Sequence, residues 1–191
     1  MARPFMLEVS VGLQLQTGAA ASPVSVAAAK AHIGIESADW DSQLEDWITV
    51  ATCLVQDYIG KAVGGQTWKL TLDRFTDQVE LSFGPVTEIG VIQYIDPDRV
   101  VRTLDDAVYI HDLVSVPQRL FRDPEEDLPS TANVPNAVTI NFTTGFETGP
   151  ELSQIRQAIL MSVASMYRDR DSGGLTPSVA AMLRPLRRII I

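Results

Sequence analysis

The stretch Leu152–Asp169, LSQIRQAILMSVASMYRD, decides the fold class. Leu152, Ile155, Ile159, Val163 and Met166 recur at spacings of three and four, so they share one stripe of a helix. Pro150 and Glu151 suit its first turn, while Gln154, Gln157, Arg168 and Asp169 fall mostly off the stripe. Ala158, Ser162, Ala164 and Ser165 are small enough to admit a close second helix. Burying the five stripe residues contributes on the order of 10 kcal/mol gross, at roughly 1.5–3 each, as an upper bound. Upstream, Leu44, Trp47, Ile48, Ala51, Val55, Tyr58 and Ile59 form a matching stripe, with Asp39 as expected cap and Gly60 as the C′ glycine. These two helices are expected to pack on each other.

Two shorter helices flank the pair. Ser25 can cap an Ala-rich segment that Gly34 stops. Thr176-Pro177 opens the last helix, which Pro185 must end or kink. Between the long helices the period changes to two. Trp68, Leu70 and Leu72 alternate with polar residues, as do Val79, Leu81 and Phe83, which predicts a hairpin turning at Phe75–Gln78. Ile89–Ile95 and Arg99–Leu104 predict a second hairpin around Asp96-Pro97-Asp98. Tyr109–His111 and Val138–Phe142 add short strands, and the proline-broken, acidic Leu113–Asn136 reads as a long solvated loop. Leu7, Val9, Val11, Leu13 and Leu15 alternate as in a half-buried strand, either a sheet edge or an arm pairing with a neighbouring subunit.

The expected fold is therefore α+β: a small helical core, with helices near 25–33, 39–59, 151–170 and 177–186, and an inserted antiparallel β excursion near 67–142. Residues 1–22 form an N-terminal arm and linker, 23–186 the main domain, and 187–191 a C-terminal docking tail. At 191 residues one domain is the default, and 46% hydrophobic content excludes wholesale disorder. The charge of -9 argues against general affinity for nucleic acid or anionic membrane. No apolar run reaches the length of a membrane span, and Glu8 interrupts the only early stretch that resembles a signal peptide. A lone cysteine, Cys53, excludes an intrachain disulfide, suggests a reducing compartment and reads as core filler.

Catalytic chemistry has little support. His32 and His111 sit in no metal-binding pattern, and His111-Asp112 has no accompanying nucleophile motif. Gly64-Gly65 lacks the Lys-Ser/Thr of a phosphate loop, and Pro124 interrupts the carboxylates of Asp123–Asp127. No catalytic residue, cofactor or metal site is expected. Arginines do concentrate near the C-terminus. Arg168 and Arg170 suit a helix end, whereas Arg184, Arg187 and Arg188 beside Ile189, Ile190 and Ile191 read as a docking element for a partner.

Three segments in order carry a resemblance: PVSVAAAKAHIGI at 23–35, DYIGKAVGGQTWKLTLDRF at 57–75, and NAVTINFTTGF at 136–146 leading into QIRQAILMSVASMYRDRD at 154–171. Together they resemble the head–tail connector (adaptor, or head-completion) proteins of long-tailed bacteriophages and phage-derived particles. Ala28 stands where such proteins often carry Glu, and residues 1–16 fall outside the resemblance. It implies a non-enzymatic virion subunit at the head–tail junction, assembled in the host bacterial cytoplasm. Such subunits form a ring, commonly twelve-fold, under the portal and extend the DNA channel. The implied partners are the portal and a tail-side stopper or tail-terminator protein, and the docking element of Arg184, Arg187, Arg188 and Ile189–Ile191, read from its own chemistry, is expected to meet the portal. Packaged DNA passes through without specific binding, and an acidic subunit suits a conduit that must not grip phosphate. The competing reading is a nucleic-acid-binding module using the C-terminal arginines. An enzyme would need a polar pocket that the sequence does not advertise.

Overall fold

The computed structural model describes residues 11–146, 148–170 and 173–187. It divides the chain into two compact units, one of Met1–Gly18 with Thr67–Thr144 and one of Ala19–Gln66 with Gly145–Ile191. The class is α+β, with the helices in the second unit and nearly all of the strand residues in the first.

In the helical unit, α1 (Val26–Ile33), α2 (Asp41–Ile59), α3 (Pro150–Arg168) and α4 (Pro177–Leu183) surround one core. The expected stripes are its content. Leu44, Ile48, Ala51, Val55 and Ile59 of α2 and Leu152, Ile155, Ile159, Val163 and Met166 of α3 are all buried, and α2 packs against α3. Ala158 and Ser162 are buried with them, which is where small side chains let the helix axes approach. Ser25 Oγ accepts from Ala28 N–H and caps α1, and Gly34 closes it in the left-handed conformation. Asp39 does not cap α2. It lies in a 3₁₀ turn, Ala38–Trp40, whose cap is Ser37; α2 begins after Trp40 with no side-chain cap. Lys30 Nζ reaches Asp41 Oδ1 at 2.6 Å and ties α1 to that start. Cys53 is exposed rather than core filler, because it sits on the α2 face opposite Ala51 and Val55.

Gly145 shows why a glycine stands where the chain returns to this unit. Its φ is +130°, and a Cβ there would lie 1.8 Å from Gly64 O. The close approach lets Val63 and Phe146 form a parallel bridge. Gln56 Oε1 accepts from Val63 N–H and from Gln66 Nε2, which fixes the same junction.

The other unit is two sheets facing one core. The first has order β1-β2-β8-β4-β5, from β1 (Val11–Thr17), β2 (Gln66–Leu72), β4 (Val86–Ile95), β5 (Val101–Thr103) and β8 (Val138–Thr144). The second has order β3-β7-β6, from β3 (Gln78–Leu81), β6 (Tyr109–Asp112) and β7 (Gln118–Arg122). Leu70, Leu72, Val138, Ile140 and Phe142 of the first meet Val79, Leu81 and Leu120 of the second.

The expected hairpin around Asp96 forms, with Ile95 opposite Val101. Asp96 holds the turn by accepting from Val100 N–H and Arg102 Nε, and these bonds lower its pKa. The hairpin at Phe75–Gln78 does not form. β2 lies between β1 and β8, while β3 crosses to the other sheet and pairs with β7, Val79 opposite Leu120. Alternation identified both strands but carries no information about which strand each one pairs with. Phe83 leaves the strand pattern, with φ +62° beyond the end of β3. Leu113–Asn136 is not one solvated loop, since β7 runs through it and buries Leu120 completely. One buried residue in five gives almost no periodic signal. β1 is an edge strand in which Leu13 packs against the sheet core while Val11 and Leu15 are 61% and 45% exposed, so only part of the alternating face is covered. Residues 7–10 of that pattern lie outside the described residues.

Candidate functional site

No catalytic constellation assembles where the sequence offered candidates. Asp112 braces a turn: its Oδ1 accepts from Val114 N–H at 3.3 Å and Ser115 N–H at 3.0 Å, and Arg119 Nε lies 3.3 Å from Oδ2. The bonds from Ser115, with Arg119 beside them, pull its pKa down to about 2. His111 faces the other way, 3.5 Å from the exposed Asp106 carboxylate. His32 is exposed at the end of α1. Among the described residues, no group of three or more His, Cys, Asp or Glu could hold a metal ion, and no helix is long and apolar enough to cross a membrane. Tyr109 is the other displaced group. Burial pushes its phenol up to about 12, and its O–H donates to Thr76 O at 2.6 Å.

The C-terminal residues singled out in the sequence lie at the surface of the helical unit where they are described. Pro185 does end the last helix: α4 stops at Leu183, a 3₁₀ turn covers Arg184–Leu186, and Arg187 is extended. Arg184 is exposed, and the Arg187 guanidinium lies over the Tyr58 ring of α2, 5.5 Å from its centroid. Arg188, Ile189, Ile190 and Ile191 lie outside the described residues. Arg168 is exposed at the end of α3, and two other arginines have local contacts. Arg170 lies over Trp40, which belongs to an aromatic cluster with Trp47 and Tyr167, and Arg156 Nε donates to Pro23 O.

On the β unit the notable surface is one that sequence reading missed. Val114 and Val116, at the β6–β7 tip, are 93% and 79% exposed. The signal was present in Leu113–Pro117, LVSVP, an uncharged stretch with alternating valines inside an apparent loop. The tip is held firmly. Besides the Asp112 bonds, Gln118 Nε2 donates to Leu113 O and Val86 O, and Gln118 Oε1 accepts from Val86 N–H at 2.6 Å.

The chain thus holds a unit with a four-helix core and a unit of two sheets. Its fold has close counterparts. It superimposes on a chain in the neck of an empty gene transfer agent (GTA) particle, computed with C6 symmetry, with a TM-score of 0.75 and 22% identity, covering 94% of this chain and 97% of that one. A chain from the virion of a native GTA particle gives a TM-score of 0.74 at 22% identity, covering 94% and 96%. One from the neck of a native GTA particle, computed with C12 symmetry, gives 0.72 at 21% identity, covering 93% and 97%. This shared fold agrees with the connector resemblance carried by the sequence. No family model and no curated protein matches the chain.

Proposed function

We propose that this chain is a structural head–tail connector subunit of a phage or phage-like particle. The observation that carries the reading is the match in fold, almost end to end in both chains, with a chain of a GTA particle neck. In this reading the subunit is not an enzyme. It is made in the host bacterial cytoplasm and forms a ring under the portal, a dodecamer. The ring extends the DNA channel and offers its far side to a stopper or tail-terminator protein. The C6 and C12 symmetries of the related necks support a ring. The net charge of -9 suits a channel through which DNA passes without being held.

Portal docking falls to Arg184, Arg187, Arg188, Ile189, Ile190 and Ile191. Buried against a partner, each isoleucine can contribute roughly 1.5–3 kcal/mol, and the arginines add specificity through carboxylates. Arg187 lies over Tyr58 of α2, a contact of about 0.5–1 kcal/mol at an exposed site. Deleting Arg187–Ile191 should therefore barely move the melting temperature while abolishing capture by portal particles in a sedimentation assay. Normal capture of the truncated chain would remove the tail from this role. Negative-stain images of the intact chain with its portal should show a ring on the portal, and images without one would count against the connector itself.

A further inference from the structure

A closed ring of identical subunits needs two different, mutually complementary patches on each copy. The β unit carries such a pair, an apolar tip and a groove with one apolar side. One is the tip, where Val114 and Val116 project almost fully into solvent. The other is a groove of about 320 Å³ on the same unit, with Val11 and the buried Leu70, Leu72 and Val79 on its apolar side and Thr76, Gln78, Glu80 and Ser82 on its polar side. The two share no residue.

We propose that the β6–β7 tip of one copy seats in the Val11–Leu70–Leu72–Val79 groove of the next copy. The inference rests on the ring reading and names the surfaces that close it. Three observations carry it. First, copies with a net charge of -9 repel one another, so they meet best where charge is low. Leu113–Pro117 has no charged residue, β1 has none along Val11–Thr17, and the groove has only Glu80. Second, β1 is a seven-residue edge strand with neither proline nor charge to discourage pairing, and its Val11 stands 61% exposed at the groove. Third, the tip is already ordered. Asp112, Arg119 and Gln118 fix its backbone, so docking two valines loses little conformational freedom. A charged ligand such as nucleic acid would find nothing to recognise on either patch. A second copy of the chain supplies both halves of the match.

The test uses the full-length chain in a Cys53→Ser background, so that added cysteines are the only thiols. Val116→Cys combined with Gln78→Cys, treated with a short bismaleimide at high protein concentration, should give a ladder of covalent oligomers, whereas either single variant should not. Val114→Ser with Val116→Ser, which changes no charge, should weaken self-association at least tenfold by sedimentation velocity and leave the melting temperature unchanged. Rings that form normally from the double serine variant, with no ladder from the cysteine pair, overturn the inference and leave the ring reading standing. A discrete two-fold dimer in place of larger species also overturns it, by giving the groove a different occupant. A wild-type chain that stays monomeric at every concentration overturns self-assembly of the ring, and the inference with it.

Discussion

Gln118 shows how much can depend on one side-chain amide. Its Oε1 and Nε2 together satisfy the N–H and C=O of Val86 in the facing sheet and the C=O of Leu113 at the tip. A nonpolar replacement leaves those groups without their partner, and each buried polar group so stranded costs about 1–3 kcal/mol. Gln118→Leu should lower stability by about 2 kcal/mol or more in urea titration, and unchanged stability would show that Val86 finds another partner. Tyr109 gives a pH signature of its own. Its folded-state pKa, about 12, lies above the unfolded value near 10, so the stability it contributes is complete below pH 10 and is lost as pH rises through 12. Alkaline melting curves should therefore fall more steeply for the wild type than for Tyr109→Phe. Parallel curves would show that the phenol does not drive the loss.

At the scale of elements, the contact between α2 and α3 was legible because both helices repeat apolar residues over four or more turns. All five stripe residues of α3 are buried, and Ile159 has no exposure at all. Ile159→Asp should unfold the chain or cost at least about 4 kcal/mol, since an unpaired charge would enter the core. A melting temperature equal to the wild type would remove Ile159 from the core. Strand pairing was less legible. Val79 and Leu81 announce a strand, but whether β3 joins β2 or β7 depends on contacts with residues about 40 positions away. β7 itself buries only Leu120, and of the alternating residues in β1 only Leu13 packs against the core, so periodicity hid one strand and overstated the covered face of another. The tip stayed hidden for the same reason, because an ordered loop and a solvated one have the same composition until their braces are seen.

For the whole molecule, charge sets apart what the proposed connector and the nucleic-acid module should do with DNA. The balance of 15 basic and 24 acidic residues gives -9 per subunit, and the proposed ring would multiply that field around its channel. Of the described C-terminal arginines, Arg168 and Arg184 are exposed, while others are engaged. Arg170 and Arg187 lie over Trp40 and Tyr58, and Arg156 is bonded to Pro23 O. A protein that binds duplex DNA releases counterions in proportion to the phosphates it neutralises, so its affinity rises steeply as salt is lowered. A conduit should show the opposite economy, with weak contact and little dependence on salt. The isolated chain should accordingly bind a labelled duplex no better than weakly at physiological salt in fluorescence anisotropy, and dilution of the salt should give only a shallow gain. Submicromolar binding with a slope of several phosphates would move the functional reading to the C-terminal arginines as a nucleic-acid site.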